Sequence, residues 1–251
     1  MRTVGVDLAA GERTTAAAVV VWNGPTAVVE PPRRRCADDE LIDLLAGLRP
    51  GERAGVDCPF GWPIPFVRAL TAHAAHETWP GRGRPGADHR ATLRHRRTDV
   101  WVRRQLGPGA RPPLSVSFDK LGATAARWAH LADALAARGQ EVDRRGTGRI
   151  VEVYPAAARL RWGLAGERSM AALRRAAPWL GCEPDVEREY DRDEHAFDAL
   201  IAALVARAVA RGLTRWPTGE DREAARIEGW IHLPEPDSLS RLPREDRGRP
   251  S

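Results

Sequence analysis

The chain has 251 residues, 43% of them hydrophobic and 29% charged, with a net charge of +5. That length supports one large α/β domain or a domain with an insertion. Its three cysteines, Cys36, Cys58 and Cys182, lie far apart, which excludes a disulfide framework and a zinc ribbon. The most apolar stretch, residues 196–213, carries Asp198, Arg207 and Arg211, which excludes a membrane span.

In chain order, strands are predicted at about 2–9, 15–22 and 26–30, the last two joined by the hairpin turn "WNGPT". "DDELIDLLAGL" (38–48) follows with helical spacing of its leucines and acids in its first turn. A short strand in "RAGVDCPFGWP" ends in a Pro/Gly-rich loop. Residues from about 62 to 146 read as a helical insertion rich in arginine. "GRIVEVYP" gives another strand, helices are expected at 156–161, 168–178 and 194–211, and "IEGWIHLP" (227–234) reads as a last edge strand. The expected organisation is one domain over residues 1–234 and a disordered tail over 235–251. A three-stranded antiparallel meander feeding parallel strands through helical crossovers makes a mixed α/β sheet with flanking helices. No signal-peptide pattern precedes the first strand, so a cytoplasmic location is expected.

The first strand carries a carboxylate among small residues: Gly5, Asp7 and Ala9 share one face. Gly55-Val56-Asp57 repeats the pattern, "IVEVYP" places Glu152 just before its terminating proline, and Asp198 stands beside an apolar helix stripe. Open α/β sheets place ligands at the carboxyl ends of their strands, where these acids would gather. Gathered carboxylates repel one another, and proteins resolve this by sharing a proton, by arginine or by a cation. Oxygen-only ligands suit Mg²⁺ or Mn²⁺. The competing reading satisfies each acid locally, Asp7 by turn amides and Asp198 by a nearby arginine.

"VGVDLA", "GVDCPFGWP", "RRTD" (96–99), "VEVYPAA", "HAFDALIAA" and "EGWIHLP" occur in an order that resembles domain-of-unknown-function family 429 from Val4 to Pro234. That family is regarded as predicted nucleases of ribonuclease-H-like fold. The resemblance implies catalytic and metal-binding roles for Asp7, Asp57, Glu152 and Asp198, two-metal phosphodiester hydrolysis with Mg²⁺ or Mn²⁺, and a nucleic-acid partner. Gly5 and Ala9 would then leave room for a phosphate. A glutamate on the first helix of ribonuclease H would correspond to Glu40 or Asp43, with no motif to choose between them.

His195, three residues before Asp198, shares its helix face and is a candidate proton shuttle, weighed against a solvated histidine of the first turn. Glu194 is an extra ligand or an acid favoured by the helix N-terminus. Nine arginines lie between residues 82 and 111 with Trp101 among them, so Arg94, Arg97, Asp99, Trp101 and Arg103 are candidate substrate contacts. Arg97 and Asp99 equally suit a structural ion pair. The acidic run "EPDVEREYDRDE" (183–194) reads as a solvated loop that would repel nucleic acid if it flanked the cleft. Two other functions fit parts of the pattern: a non-catalytic nucleic-acid-binding protein, and an ATP-dependent phosphotransferase whose phosphate loop "GVDLAAGERTT" resembles.

Overall fold

The computed structural model describes residues 1–107, 113–119, 121–164 and 168–243. Arg111, part of the basic run, and tail residues 244–251 lie outside the described residues. The strands are β1 (Arg2–Asp7), β2 (Ala16–Asn23), β3 (Thr26–Val29), β4 (Arg33–Arg34), β5 (Arg53–Asp57), β6 (Ile150–Glu152) and β7 (Leu180–Gly181). Among the described residues they form one mixed seven-stranded sheet of order β6-β5-β1-β2-β3-β7, with β4 paired to β2. β1, β2 and β3 form the antiparallel meander, and β5 and β6 run parallel to β1.

Helices α1 (Asp38–Ala46) and α5 (Leu121–Ala137) cover one face of the sheet, against Val4, Val6, Val19 and Val56. The other face is covered by α6 (Pro155–Arg161), α7 (Met170–Ala176), α8 (Pro184–Asp191) and α9 (Glu194–Ala210). α9 is apolar all round because it is the central buried helix, enclosed on all sides. Helices α2 (Ile64–Ala74), α3 (Gly86–Thr92), α4 (Arg97–Leu106) and α5 fill the insertion, and α10 (Glu220–Glu228) packs against α4 and α2. No helix among the described residues is long and apolar enough to cross a membrane.

Four expectations change. The acidic run is not a loop: Pro184–Asp191 is α8, anchored by Val186 and Tyr190, spaced i, i+4. Segment 227–234 is not a strand: α10 ends at Glu228, and only single bridges join Ile231 to Glu152 and Pro234 to Thr214. Residues 235–243 are packed rather than disordered. Leu239 and Leu242 are buried, Trp162 Nε1 donates to Ser238 Oγ at 2.9 Å, and Arg207 Nε donates to the Leu242 carbonyl at 3.0 Å.

The fourth change concerns the small residues beside Asp7. A Cβ on Gly5 would lie 1.9 Å from the Ala199 carbonyl oxygen, and one on Gly55 would lie 2.5 Å from that of Ala202. The room is taken by the backbone of α9, not by a phosphate. Glycine in β1 and β5 lets the helix lie directly on the sheet and carries its first turns over the strand ends.

Candidate active site

Asp7 and Asp57 end two adjacent parallel strands as register partners. Each shares a face with a glycine that admits α9, so both carboxylates lie beneath that helix's N-terminal turns. Their backbones are fixed by β pairing, which leaves only side-chain rotation to place the oxygens. Asp193 caps α9, accepting from the backbone N–H groups of His195 and Ala196 at 3.0 and 3.2 Å. One turn on, α9 presents His195 and Asp198 to the strand acids.

His195 Nδ1–H donates to Asp7 Oδ2 at 2.7 Å. Burial raises the Asp7 carboxyl above its usual range against the opposing pull of His195, and that hydrogen bond holds a proton on the imidazole more firmly. No hydrogen-bond donor among the described residues reaches the Asp57 carboxylate. Burial, reinforced by Asp7, Asp198 and Glu152, pushes Asp57 well up. Asp198, 14% exposed, accepts from Arg168 Nε and Nη2 through Oδ2 at 3.2 and 2.8 Å. Its Oδ1 stands 3.4 Å from Arg159 Nε, and both atoms are buried without a hydrogen bond. The three acids therefore face His195, Arg159 and Arg168.

A cavity of about 210 Å³ opens beside Asp7 and Asp57, its walls including Leu8, Pro59, Leu114 and Tyr154. Cys58 also lines it, but burial pushes that thiol well up, so it is no thiolate nucleophile.

Glu152 reaches the same cavity with both oxygens already engaged. Arg96 Nη2 donates to Oε1 at 2.7 Å, and Oε2 accepts from Arg96 Nη1 and the Phe60 N–H, both at 3.0 Å. Arg96 also donates to both Asp99 oxygens and to the Glu228 carbonyl, so all five of its N–H groups are used. Glu152 is thus a buried counter-ion of Arg96, and Asp99 is that arginine's second counter-ion.

Glu228, whose role the sequence does not reveal, closes the network. It accepts from the Ile64 N–H at 2.8 Å and the Arg97 N–H at 2.7 Å, capping α2 and α4 with one side chain. Thr98 Oγ1 accepts from the Ile231 N–H at 2.8 Å. "RRTD", "VEVYP" and "EGWIHLP" thus meet in one buried polar cluster beneath the cavity.

The remaining candidates scatter. Arg97 pairs with Asp221 and Glu220, Arg94 reaches Asp119 at 4.0 Å, and Trp101 packs on Trp230. Arg103 is exposed, as are Arg82, Arg84, Arg90 and Arg104. Glu40 accepts from the Ala37 N–H, Asp43 pairs with Arg138, and both sit on α1 across the sheet from Asp7. Glu194 pairs with Arg168. Thr15, in the segment resembling a phosphate loop, is held by Ala9, Gly11 and Arg127.

Arg159 and Arg168 were not foreseen. Neither stands in a motif, and their one signal in the sequence is the expectation that arginine would answer Asp198.

The donor set at the strand ends consists of hard carboxylate oxygens, with Asp57 unpartnered and Asp198 Oδ1 orphaned, and this chemistry fits Mg²⁺ or Mn²⁺. Among the described residues, no group of three or more such side chains stands arranged to hold a metal ion. No curated protein and no solved structure matches the chain significantly. Residues 5–222 match the family described as "Protein of unknown function (DUF429)", and the chain belongs to that family.

Proposed function

We propose that the chain is a divalent-cation-dependent nuclease that hydrolyses nucleic-acid phosphodiester bonds, its mixed sheet being a variant of the ribonuclease-H-like fold. The observation that carries this reading is the register pair Asp7–Asp57 at the open ends of parallel strands, with Asp198 brought over them by α9. Asp7, Asp57 and Asp198 would hold the Mg²⁺ or Mn²⁺. When bound, such an ion supplies an activated water and charge stabilisation for the leaving oxygen.

The chain's own groups do the rest. Asp57, desolvated and without a donor, would release its proton to solvent as a bound cation took the place of that proton. His195, fixed through Nδ1 by Asp7 and 37% exposed, presents its other ring nitrogen to give a proton to the leaving group. Leu8, Pro59 and Leu114 form an apolar wall that suits the face of an unpaired base. The exposed arginines of the insertion add phosphate-tracking charge.

The test is cleavage of end-labelled RNA, DNA and hybrid substrates with Mg²⁺ or Mn²⁺, comparing the wild type with Asp7→Asn and Asp57→Asn. Cation-dependent cleavage lost in both variants supports the reading. A folded wild type that cleaves none of the substrates overturns it. A second reading, a nucleic-acid-binding protein without catalysis, is favoured by the pairing of Asp198 with Arg168 and of Asp7 with His195. It predicts nucleic-acid binding that survives removal of Asp7 and Asp57.

A further inference from the structure

The two buried arginines near the site are used differently. Arg96 spends every N–H on a carboxylate or carbonyl. Arg159 is also buried, at 8% exposure, yet its guanidinium makes no hydrogen bond among the described residues, and its Nε is orphaned beside the orphaned Asp198 Oδ1. A buried guanidinium nitrogen without a hydrogen bond is costly unless something else completes it. Arg159 comes from α6, directly after the strand of Glu152, and its charge is felt at both Asp198 and Asp57. Arg168 approaches the same carboxylate from the other oxygen and is 41% exposed. Two forked cations therefore converge on one acid, and one fork is unspent.

We propose that Arg159 and Arg168 form the anion-binding pair of this site, taking a phosphoryl group of a nucleic-acid backbone, and that this exchange releases Asp198. Guanidinium forks match phosphate oxygens two at a time, and a phosphodiester offers two such oxygens where Asp198 leaves Nε of Arg159 unbonded. The phosphate takes over the arginines as Asp198 turns to the strand acids, so the acids assemble only when a backbone is present. No bond is made or broken in this step. The assembly role rests on the nuclease reading; the anion site does not.

The experiment measures binding of a short, fluorescently labelled, phosphorothioate single strand to the full chain in chelator, where no hydrolysis occurs. Arg159→Gln and Arg168→Gln are each expected to weaken binding by about 10-fold or more, the scale of a lost charged hydrogen bond. Arg159→Lys, which keeps the charge and loses the fork, falls between them and the wild type. Asp198→Asn frees both arginines and tightens binding several-fold, and inorganic phosphate competes. Melting temperatures of all variants separate folding from binding, and exposed Arg168 gives a variant that leaves the core intact. Wild-type affinity in folded Arg159→Gln and Arg168→Gln, or failure of phosphate to compete, overturns the proposal. If cleavage depends on Asp57 yet neither arginine affects binding, this inference falls and the nuclease reading stands. If binding depends on the arginines and nothing is cleaved, the nuclease reading falls and the anion site stands.

Discussion

Asp57 lies directly beside Asp7 on the neighbouring parallel strand, and among the described residues only Asp7 of the two has a hydrogen-bond partner. Strands in such a pair are about 4.8 Å apart, so the fold holds two carboxylates close together with one histidine to share between them. An arrangement so unfavourable for stability is a common mark of a site kept for chemistry.

Asp57→Asn is therefore expected to stabilise the protein while removing cation-dependent activity. Asp57 holds its proton to higher pH in the folded state than in the unfolded chain, whose ordinary value is about 3.9. Stability from this group is full below that value and lost as pH rises through the raised folded value. The gain in melting temperature should be absent near pH 4 and largest at neutral to alkaline pH, about 2–4 °C for each kcal/mol in a chain of this size. Melts of both proteins across that range decide it; no gain at pH 8 would show that Asp57 is not strained.

Arg96 and Glu152 should differ in what their loss costs. Arg96→Met leaves Glu152 and Asp99 buried without their counter-ion, a loss of about 3–5 kcal/mol. Glu152→Gln keeps one acid on the arginine, and is expected to cost about 1–3 kcal/mol. In Mn²⁺ titrations with an uncleavable phosphorothioate strand present, Glu152→Gln should bind like the wild type, whereas Asp57→Asn should not bind. Equal loss in both variants would return Glu152 to the ligand set.

Gly5→Ala tests the close approach of α9. The added methyl cannot be accommodated without moving the helix backbone, and about 3 kcal/mol or more of stability should be lost. Because Asp198 rides on that helix, activity should fall further than the melting temperature alone explains. Denaturant unfolding and activity measured on the same sample check this.

His232 should govern part of the acid response. It is fully buried, with Nε2–H donating to the Arg145 carbonyl at 3.0 Å and Nδ1 3.2 Å from Thr214 Oγ1. Burial lowers it from 6.5 to about 4. The neutral ring belongs to the folded state, so its contribution is present above pH 6.5 and lost as pH falls toward 4, about 3 kcal/mol in all. Unfolding free energies of the wild type and His232→Gln should converge or cross over that interval. A constant difference would mean that the folded ring takes up its proton at the same pH as in the unfolded chain.

Local pattern made the meander, α1, β5, β6 and α9 legible, since each has alternation or helical spacing within a few residues. β7 was not, because two residues carry no period. α8 was hidden because its acids outnumber its two anchors, Val186 and Tyr190. The acids themselves stood out as carboxylates in apolar strands. Their partners did not: Arg96 meets Glu152 across 56 positions, Arg168 meets Asp198 across 30, and Glu228 meets Ile64 across 164. Pairings so remote arise from the path of the chain, which a local window does not contain. The small residues around Asp7 carried a real signal, a close approach, but the sequence does not say what approaches.

Glu228 also orders events in time. Its carboxylate ends the insertion helices α2 and α4, which leave the ribosome some 160 and 130 residues before it. Until it emerges, both helices begin on bare amide groups, and Arg96 lacks the carbonyl that completes its fork. The acids of β1 and β5 likewise wait for α9 before they have a roof. A nascent chain thus carries its strand-end carboxylates early but cannot enclose them until nearly all of it has been translated.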